Sequence, residues 1–331
     1  MRRNAGVSSG FQRQRGIALI TAVAIVAMAT VAAVAMAHTL QLSIRRTGNI
    51  LTSDQGILYT LGSEAWSRGM LIRDLQDSQQ KAYDGLDEDW AQELPPTPVE
   101  GGEVRALTTD MQARFNLNNL YLPQDASETQ KQQVARELAV FQRLLIALEL
   151  DESIAQATAD WLDENIDPQF PDGAEDNAYT ADDPPYRTGN RRMGNATELR
   201  LVRGVTAEVY EKLSPYVTAL PEATPININT ADPIVIRSLV QDLDEAGAEQ
   251  LVDGREENPF KDTKSFLEAL KGLLEENKVK SEEIEPVISV SSRFYQLETV
   301  VKMENDSQRL RSLLYKGDKG VVTLNRVFGV L

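Results

Sequence analysis

The 331-residue chain has no cysteine and a single histidine, His38. The first absence removes disulfides, thiolate zinc sites, iron–sulfur clusters and cysteine nucleophiles. The second removes most imidazole chemistry, including a hydrolytic triad built on any base other than His38. Positive charge is also scarce: 34 Lys and Arg stand against 50 Asp and Glu, a net charge of −16. That balance lacks the basic footprint of a nucleic-acid binder, or of a protein held electrostatically on an anionic membrane. Aromatic residues make up only 6% of the chain, and Trp66, Trp90 and Trp161 are too scattered to form a stacking platform. Carboxylates are plentiful, but no Asp/Glu pair has a spacing that singles it out for acid–base hydrolysis. No enzymatic activity is expected. The content of 42% hydrophobic and 25% charged residues is that of a globular protein. Its surplus of carboxylates suits hard cations with oxygen ligands.

One long apolar run breaks this pattern. Residues 1–16 hold Arg2, Arg3, Arg13 and Arg15 and no acid, and an apolar stretch from Ile17 to Ala37 follows, interrupted only by Thr21 and Thr30. At about 1.5 Å per residue it spans roughly 30 Å, one bilayer core. The basic residues before it and the acidic bulk after it put the leader in the cytoplasm and the bulk across the membrane. Three readings compete. One is an ordinary single-span anchor. A second is a secretory signal cut after Ala35-Met36-Ala37. The third is a prepilin-type junction, in which a basic leader ends at Gly16, the cut falls before the apolar helix, and Ile17 becomes the new N-terminus. Ile44, Leu51, Leu58 and Ala65 then recur every seven residues, with Ile57 and Leu61 beside them. This predicts one helix over 17–75 whose second half lays an apolar stripe on a folded head. Gly48, Gly56 and Gly62 weaken that helix.

Residues 80–102 read as a loop rich in Pro and Gly. Strand patterns follow at Glu103–Thr109 and around Met111–Leu117, then cease. They return in the alternation of Tyr295, Leu297, Thr299, Val301 and Met303, and in the hairpin of Arg309–Lys316 and Val321–Phe328 about Gly317-Asp318-Lys319-Gly320. Between them the pattern is helical. Ser127-Glu128-Thr129-Gln130 is a capping box, Val134, Leu138, Phe141, Leu145 and Leu148 step by fours and threes, and a second helix carries Ile154, Thr158 and Trp161. Further helices are expected near 206–213, 231–240, 246–256 and 264–275. The reading is an α+β fold: a long N-terminal helix packed on a small antiparallel sheet, with an all-α domain of about 120–285 inserted in that sheet. Residues 76–119 supply the loop and first strands, and 286–331 the remaining strands. Two tandem domains are the alternative, but they leave 103–117 as an isolated hairpin.

Four pieces together resemble the K-class minor pseudopilin of bacterial type II secretion (the GspK family). They are Arg15-Gly16-Ile17, the segment Asp110-Met111-Gln112-Ala113-Arg114-Phe115-Asn116-Leu117-Asn118, the acidic stretch Trp161–Tyr179, and Ile226-Asn227-Ile228-Asn229-Thr230-Ala231. The resemblance implies cleavage between Gly16 and Ile17 by the prepilin peptidase and N-methylation of Ile17. It implies anchoring in the inner membrane through 17–37, with the rest in the periplasm. It also implies a place at the pseudopilus tip with the I and J minor pseudopilins, then H and the major pseudopilin, in the assembly or length control of a fibre that exports folded exoproteins. Major subunits carry Glu at the fifth mature position. Here it is Thr21, an absence the K class shares. A lone carboxylate in lipid is costly, whereas a Thr hydroxyl can bond to a helix carbonyl. The alternative function is a membrane-anchored periplasmic binding protein for a carbohydrate or a cation.

Asp163, Asn165 and Asp167 imitate the opening of a calcium loop. Pro168 and Ala174 stand where an EF-hand needs its turn Gly and its bidentate Glu, so the loop is not an EF-hand. Carboxylates crowded around Pro171 and Gly173, notably Glu175 and Asp176, repel one another, and a hard cation would relieve this. A solvated acidic loop remains the alternative. The resemblance implies calcium in the helical domain. Residues 199–275 look like a helix-hairpin-helix or SAM-like unit, yet the hairpin position, Gln241–Gly247, carries three acids, and 226–270 holds ten acidic and four basic residues. DNA binding is not expected there.

The junction yields a direct test. N-terminal sequencing of membrane-extracted protein is expected to start at a methylated Ile17, and Gly16→Val to leave a full-length, membrane-bound form. An intact leader, a start at His38, or normal processing of the variant would exclude prepilin-type cleavage.

Overall fold

The computed structural model describes residues 14–77, 83–93, 95–181, 183–304 and 306–329; leader residues 1–13 lie outside the described residues. The described residues open with α1, Gln14–Asp77, a helix of 64 residues and so about 95 Å long. Among the described residues it is the one helix long and apolar enough to cross a membrane. Its first half, residues 16–51, is exposed throughout. The two polar residues in the apolar run are satisfied within the helix. Thr21 donates its hydroxyl to the carbonyls of Ile17 and Ala18 at 3.1 and 3.0 Å, and Thr30 donates to Val26 at 2.8 Å. Neither side chain therefore brings an unpaired donor into apolar surroundings.

The second half of α1 packs on a face other than the one its heptad spacing predicts. Ile44, Leu51 and Leu58 are 63–67% exposed and Ala65 is exposed as well. The side turned to the head is Gly56, Thr60, Ser63, Glu64, Ser67 and Leu71. Small and polar groups can take this face because they meet partners there: the Ser67 hydroxyl lies 2.8 Å from that of Thr108. Gly56 is required for close seating, since a Cβ there would fall 2.8 Å from Gln308 Cγ.

The partner is a five-stranded antiparallel sheet built from β1 (Thr97–Val99), β2 (Gly102–Asp110), β7 (Phe294–Met303), β8 (Ser307–Gly317) and β9 (Gly320–Phe328), in that spatial order. The predicted alternation is present: Tyr295, Leu297, Thr299, Val301 and Met303 all face inward. The β8–β9 hairpin turns where expected, with Gly320 at φ +143°. Two expectations are corrected. The 80–102 segment is no plain loop: Asp89–Ala91 forms a short 3-10 turn that packs Trp90 edge-on to Tyr295 at 4.9 Å, and the Pro-rich stretch supplies edge strand β1, where Pro is tolerated. Met111–Leu117 is not a sheet strand. It breaks into 3-10 turns at Met111–Ala113 and Leu117–Leu120 around the two-residue β3, Phe115–Asn116. The reason is local. Asp110 accepts from the Gln112 amide at 2.8 Å and Asn116 from the Asn118 amide at 3.2 Å, and these Asx bonds outcompete a ladder.

The helical domain is inserted between β2 and β7. In chain order it holds α2 (Glu128–Ala147), α3 (Ser153–Leu162), the one-turn α4 (Asp176–Tyr179), α5 (Ala207–Leu213), α6 (Pro233–Leu239), α7 (Glu245–Glu257), α8 (Thr263–Leu273) and the one-turn α9 (Ser281–Ile284). Short parallel pairs close its base: β3 with β4 (Val217–Thr218), and β5 (Ile226–Asn227) with β6 (Ile288–Ser289). The Ser127 capping box forms as predicted. Phe141 on α2 stacks on Phe115 with centroids 5.0 Å apart, in a core shared with Leu144, Leu145 and Leu162. The acids of the 226–270 segment have local work. Asp232, Asp244 and Asp262 cap α6, α7 and α8, satisfying amides that would otherwise lack partners.

One residue seats α1 on the sheet. The Glu64 side chain, only 3% exposed, is gripped by the Arg326 fork. Arg326 Nε and Nη2, Ser312 Oγ and Thr323 Oγ1 all donate to it at 2.7 Å. Burial pushes this carboxyl up, but the Arg326 fork and the two hydroxyls outweigh it and bring it down to about 2. Such a group stabilises the fold above its ordinary value of 4.5 and loses that contribution as pH falls toward 2. Glu64→Gln is expected to cost about 2 kcal/mol at neutral pH and to flatten the loss of stability below pH 4.5. Urea unfolding midpoints of the full chain across pH are the measure. An unchanged midpoint and acid slope would mean that Glu64 does not hold the helix.

Candidate functional site

The two asparagine-rich motifs of the sequence meet at the base of the inserted domain. Asn116 donates to the Glu222 carbonyl at 2.8 Å and accepts from the Leu220 amide at 3.0 Å. Asn118 bonds both ways with Met193, donating at 3.0 Å and accepting at 2.8 Å. Asn119 does the same with Thr224, and Asn229 with Phe260. Each is a buried amide matched to backbone, a staple rather than a ligand. At the centre, Asp110 ends β2 and is fully buried. Its Oδ2 accepts from Ser292 Oγ and Thr230 Oγ1, both at 2.6 Å, and from Asn227 Nδ2 at 3.1 Å. Burial pushes this carboxyl up and the two hydroxyls draw it back.

The acidic stretch forms a second centre. Asp160, Asp163 and Glu175 are each at most 2% exposed. Asp160 and Asp163 lie one turn apart at the end of α3, and Glu175 precedes α4. The 169–173 loop closes over them because Gly173 has no side chain: a Cβ there would fall 2.2 Å from Asp160 Oδ2. Asp160 accepts from the Gln169 amide. Glu175 Oε1 is buried with no hydrogen-bond partner among the described residues. Burial first, then Asp160, pushes Asp163 up to about 7. Burial, then Asp160, Asp163 and Asp176, pushes Glu175 up to about 7. Of the predicted ligands, Asp163 and Glu175 are therefore brought together, with Asp176 at the edge, where it accepts from Thr188 Oγ1 at 2.9 Å. Asn165 and Asp167 are used otherwise: Asn165 Oδ1 accepts from the Asp167 amide at 2.7 Å, and the Asp167 side chain is exposed. Asp160 was not anticipated. Its signal is the i, i+3 spacing to Asp163, which sets both on one helical face. Buried like charges with an unpartnered oxygen fit a hard cation.

Among the described residues the carboxylates whose oxygens gather within 4.8 Å of one another are a different trio, Asp74, Asp84 and Glu88. It is already neutralised in part, because Lys316 pairs with both Asp74 and Asp84. Gly16 and Ile17 lie within α1, and a Cβ on Gly16 would meet nothing within 4 Å among the described residues.

A family profile described as "Type II secretion system (T2SS), protein K" matches residues 113–222, and a second of the same description matches 226–285. The type II secretion system protein K of Pseudomonas aeruginosa is 34% identical over 317 residues, 93% of this chain and 91% of that protein. The chain belongs to the type II secretion system protein K family. The protein K of Aeromonas hydrophila is 31% identical over 330 residues, covering 96% of this chain and 98% of the other. A chain in the crystal structure of the GspK-GspI-GspJ complex from enterotoxigenic Escherichia coli superposes with a TM-score of 0.72 and 26% identity, covering 86% of this chain and all of its own. The two protein K profiles fall on the inserted domain and its root, which hold both the asparagine staples and the acidic centre.

The acidic centre sets a pH dependence in this protein K chain. Unfolded, Asp163 and Glu175 return to ordinary values of 3.8 and 4.5; folded, they hold their protons up to about 7. The folded state binds more protons across that window, so the ion-free fold loses stability as pH rises from about 4 to 7. The melting temperature of the chelator-treated full chain in detergent is expected to fall from pH 5 to 8, and Asp163→Asn with Glu175→Gln to make the fall shallower. An equal slope in the double variant would contradict the raised values.

Proposed function

We propose that this chain is a K-class minor pseudopilin at the tip of the periplasmic pseudopilus of a type II secretion system. It is anchored in the inner membrane through residues 17–37, with the head in the periplasm. The prepilin peptidase cuts between Gly16 and Ile17, and Ile17 is N-methylated. The partners are the I and J minor pseudopilins, in keeping with the complex whose chain this one resembles, then H and the major pseudopilin. The protein acts by assembly, setting where the fibre begins or how far it grows during export of folded exoproteins, and no catalytic step is assigned to it.

The observation that carries this reading is the pairing of a pilin-like helix with an oversized head. The uncovered face of α1, with Leu51 63% and Leu58 67% exposed, is apolar and free to meet neighbouring helices. Thr21 bonds to its own helix and offers no carboxylate to a subunit above. The inserted domain adds bulk that stacked heads of a helical filament would not accommodate. At the tip neither feature has a cost.

Calcium is the structural ion of the reading, held by Asp160, Asp163 and Glu175, with Asp176 beside them and Asn165 and Asp167 shaping the loop. The unpartnered Glu175 oxygen supports it. Returning calcium to the ion-free chain at pH 8 then offsets the stability lost on the way up from pH 5, a hundredfold excess over its dissociation constant stabilising the fold by about 2.7 kcal/mol. An unchanged melting temperature argues against a tight site. Antibody to the inserted domain, applied to overproduced pseudopili, is expected to label one end only. Regular label along the shaft refutes the tip position.

A further inference from the structure

Arg114 links the root of the inserted domain to β3 and opens into a cleft of about 420 Å³ between that domain and the outer face of the sheet. Four other cations drawn into the fold have partners. Arg68 bonds to the Val321 carbonyl, Arg143 to those of Ser238 and Leu239, Arg255 to that of Ile228, and Lys316 to two carboxylates. The half-buried Arg114 guanidinium has no hydrogen-bond or ion-pair partner among the described residues. Burial pushes it down and Arg311 adds to this, while Glu298 and, behind the cleft wall, Asp110 oppose it at longer range. Glu298 is itself engaged: its Oε1 takes Arg311 at 2.7 Å and the Gln296 amide at 2.9 Å. Among the residues that line the cleft, Arg114 and Arg311 against Glu298 leave one positive charge in excess, within a chain of net charge −16. A guanidinium left partly desolvated and unpaired is a strong donor for an anion of matching geometry.

We propose that this cleft binds a protein segment through one Asp or Glu carboxylate, with Arg114 as its counter-ion. Three features choose the ligand. The single excess charge and the nearby Glu298 carboxylate disfavour a dianion such as phosphate. The volume far exceeds a lone carboxylate and suits a few residues of extended chain. The sheet wall offers amide groups, Gln296 and Asn325, beside apolar Leu313 and Val327, the mixture that a peptide backbone and its side chains require. Because the cleft lies between the sheet and the inserted domain, an occupant contacts both.

The test uses the purified full chain in detergent, labelled with 13C at methionine methyls, of which it has 7. Met111 lines the cleft and is assigned with Met111→Leu. The probes are the peptide acetyl-Ala-Leu-Glu-Ala-amide, its Gln counterpart, and inorganic phosphate. Saturable movement of the Met111 signal by the Glu peptide is expected, with affinity at least tenfold lower for the Gln peptide and in Arg114→Ala. Arg114→Lys should recover part of it, since the charge returns without the fork. The other methionine signals report whether each variant remains folded. No response to the Glu peptide, equal affinity for both peptides, unaltered binding in Arg114→Ala, or phosphate binding at least as tightly would each overturn the proposal. None of these readouts depends on filament assembly, so the tip position stands or falls separately.

Discussion

A buried carboxylate at the point where the chain leaves the sheet holds this architecture together. β2 ends at Asp110 and β7 begins at Phe294, yet the two strands pair residue for residue. Everything between them must return to within a hydrogen bond of its departure. Asp110 brings this about by receiving Ser292 from the returning end and Asn227 and Thr230 from the inserted domain on a single oxygen. The same Asn227 amide also reaches the Asp84 carbonyl, so the loop after α1 is drawn to the same place. A desolvated carboxylate is costly unless it is bonded, and that cost favours one closed arrangement of the junction.

Much of this fold was legible in the chain. The apolar run, the alternating β7, the β8–β9 turn and the α2 capping box each rest on a short-range rule, and each appears where that rule puts it. The misread parts share a cause. The stripe of Ile44, Leu51 and Leu58 has a genuine helical period, but period alone does not say which face a partner covers. Nothing near Glu64 and Ser67 in sequence marks them for burial, since their partners Arg326, Ser312 and Thr108 are brought across from distant sequence. Met111–Leu117 looked like a strand because its apolar residues alternate. Side chains at Asp110 and Asn116 instead bond to their own backbone.

The acidic centre was half legible for a related reason. A loop motif drew attention to Asp163, Asn165 and Asp167, but crowding alone does not separate acids that shape a loop from acids enclosed by it. Burial makes that separation, taking in Asp160 and Glu175 and leaving Asp167 in solvent. Elsewhere the acidity is structural: Asp232, Asp244 and Asp262 cap helices. Three of the carboxylates behind the net charge of −16 are thereby assigned to backbone amides and need no external partner.

The seating of α1 has a mechanical consequence. A rod resting on a sheet through oily contacts alone can slide along it, since one apolar neighbour replaces another at little cost. Here the rod is notched at Gly56, where Gln308 enters, and keyed at Glu64, where a planar fork from Arg326 fixes position and orientation together. Slipping by one helical turn would drive a side chain into the notch and strand a charged carboxylate in a dry interface. Axial load applied to the exposed end of the helix is therefore delivered to β8 and β9 without slack, and rod and head travel as one rigid piece.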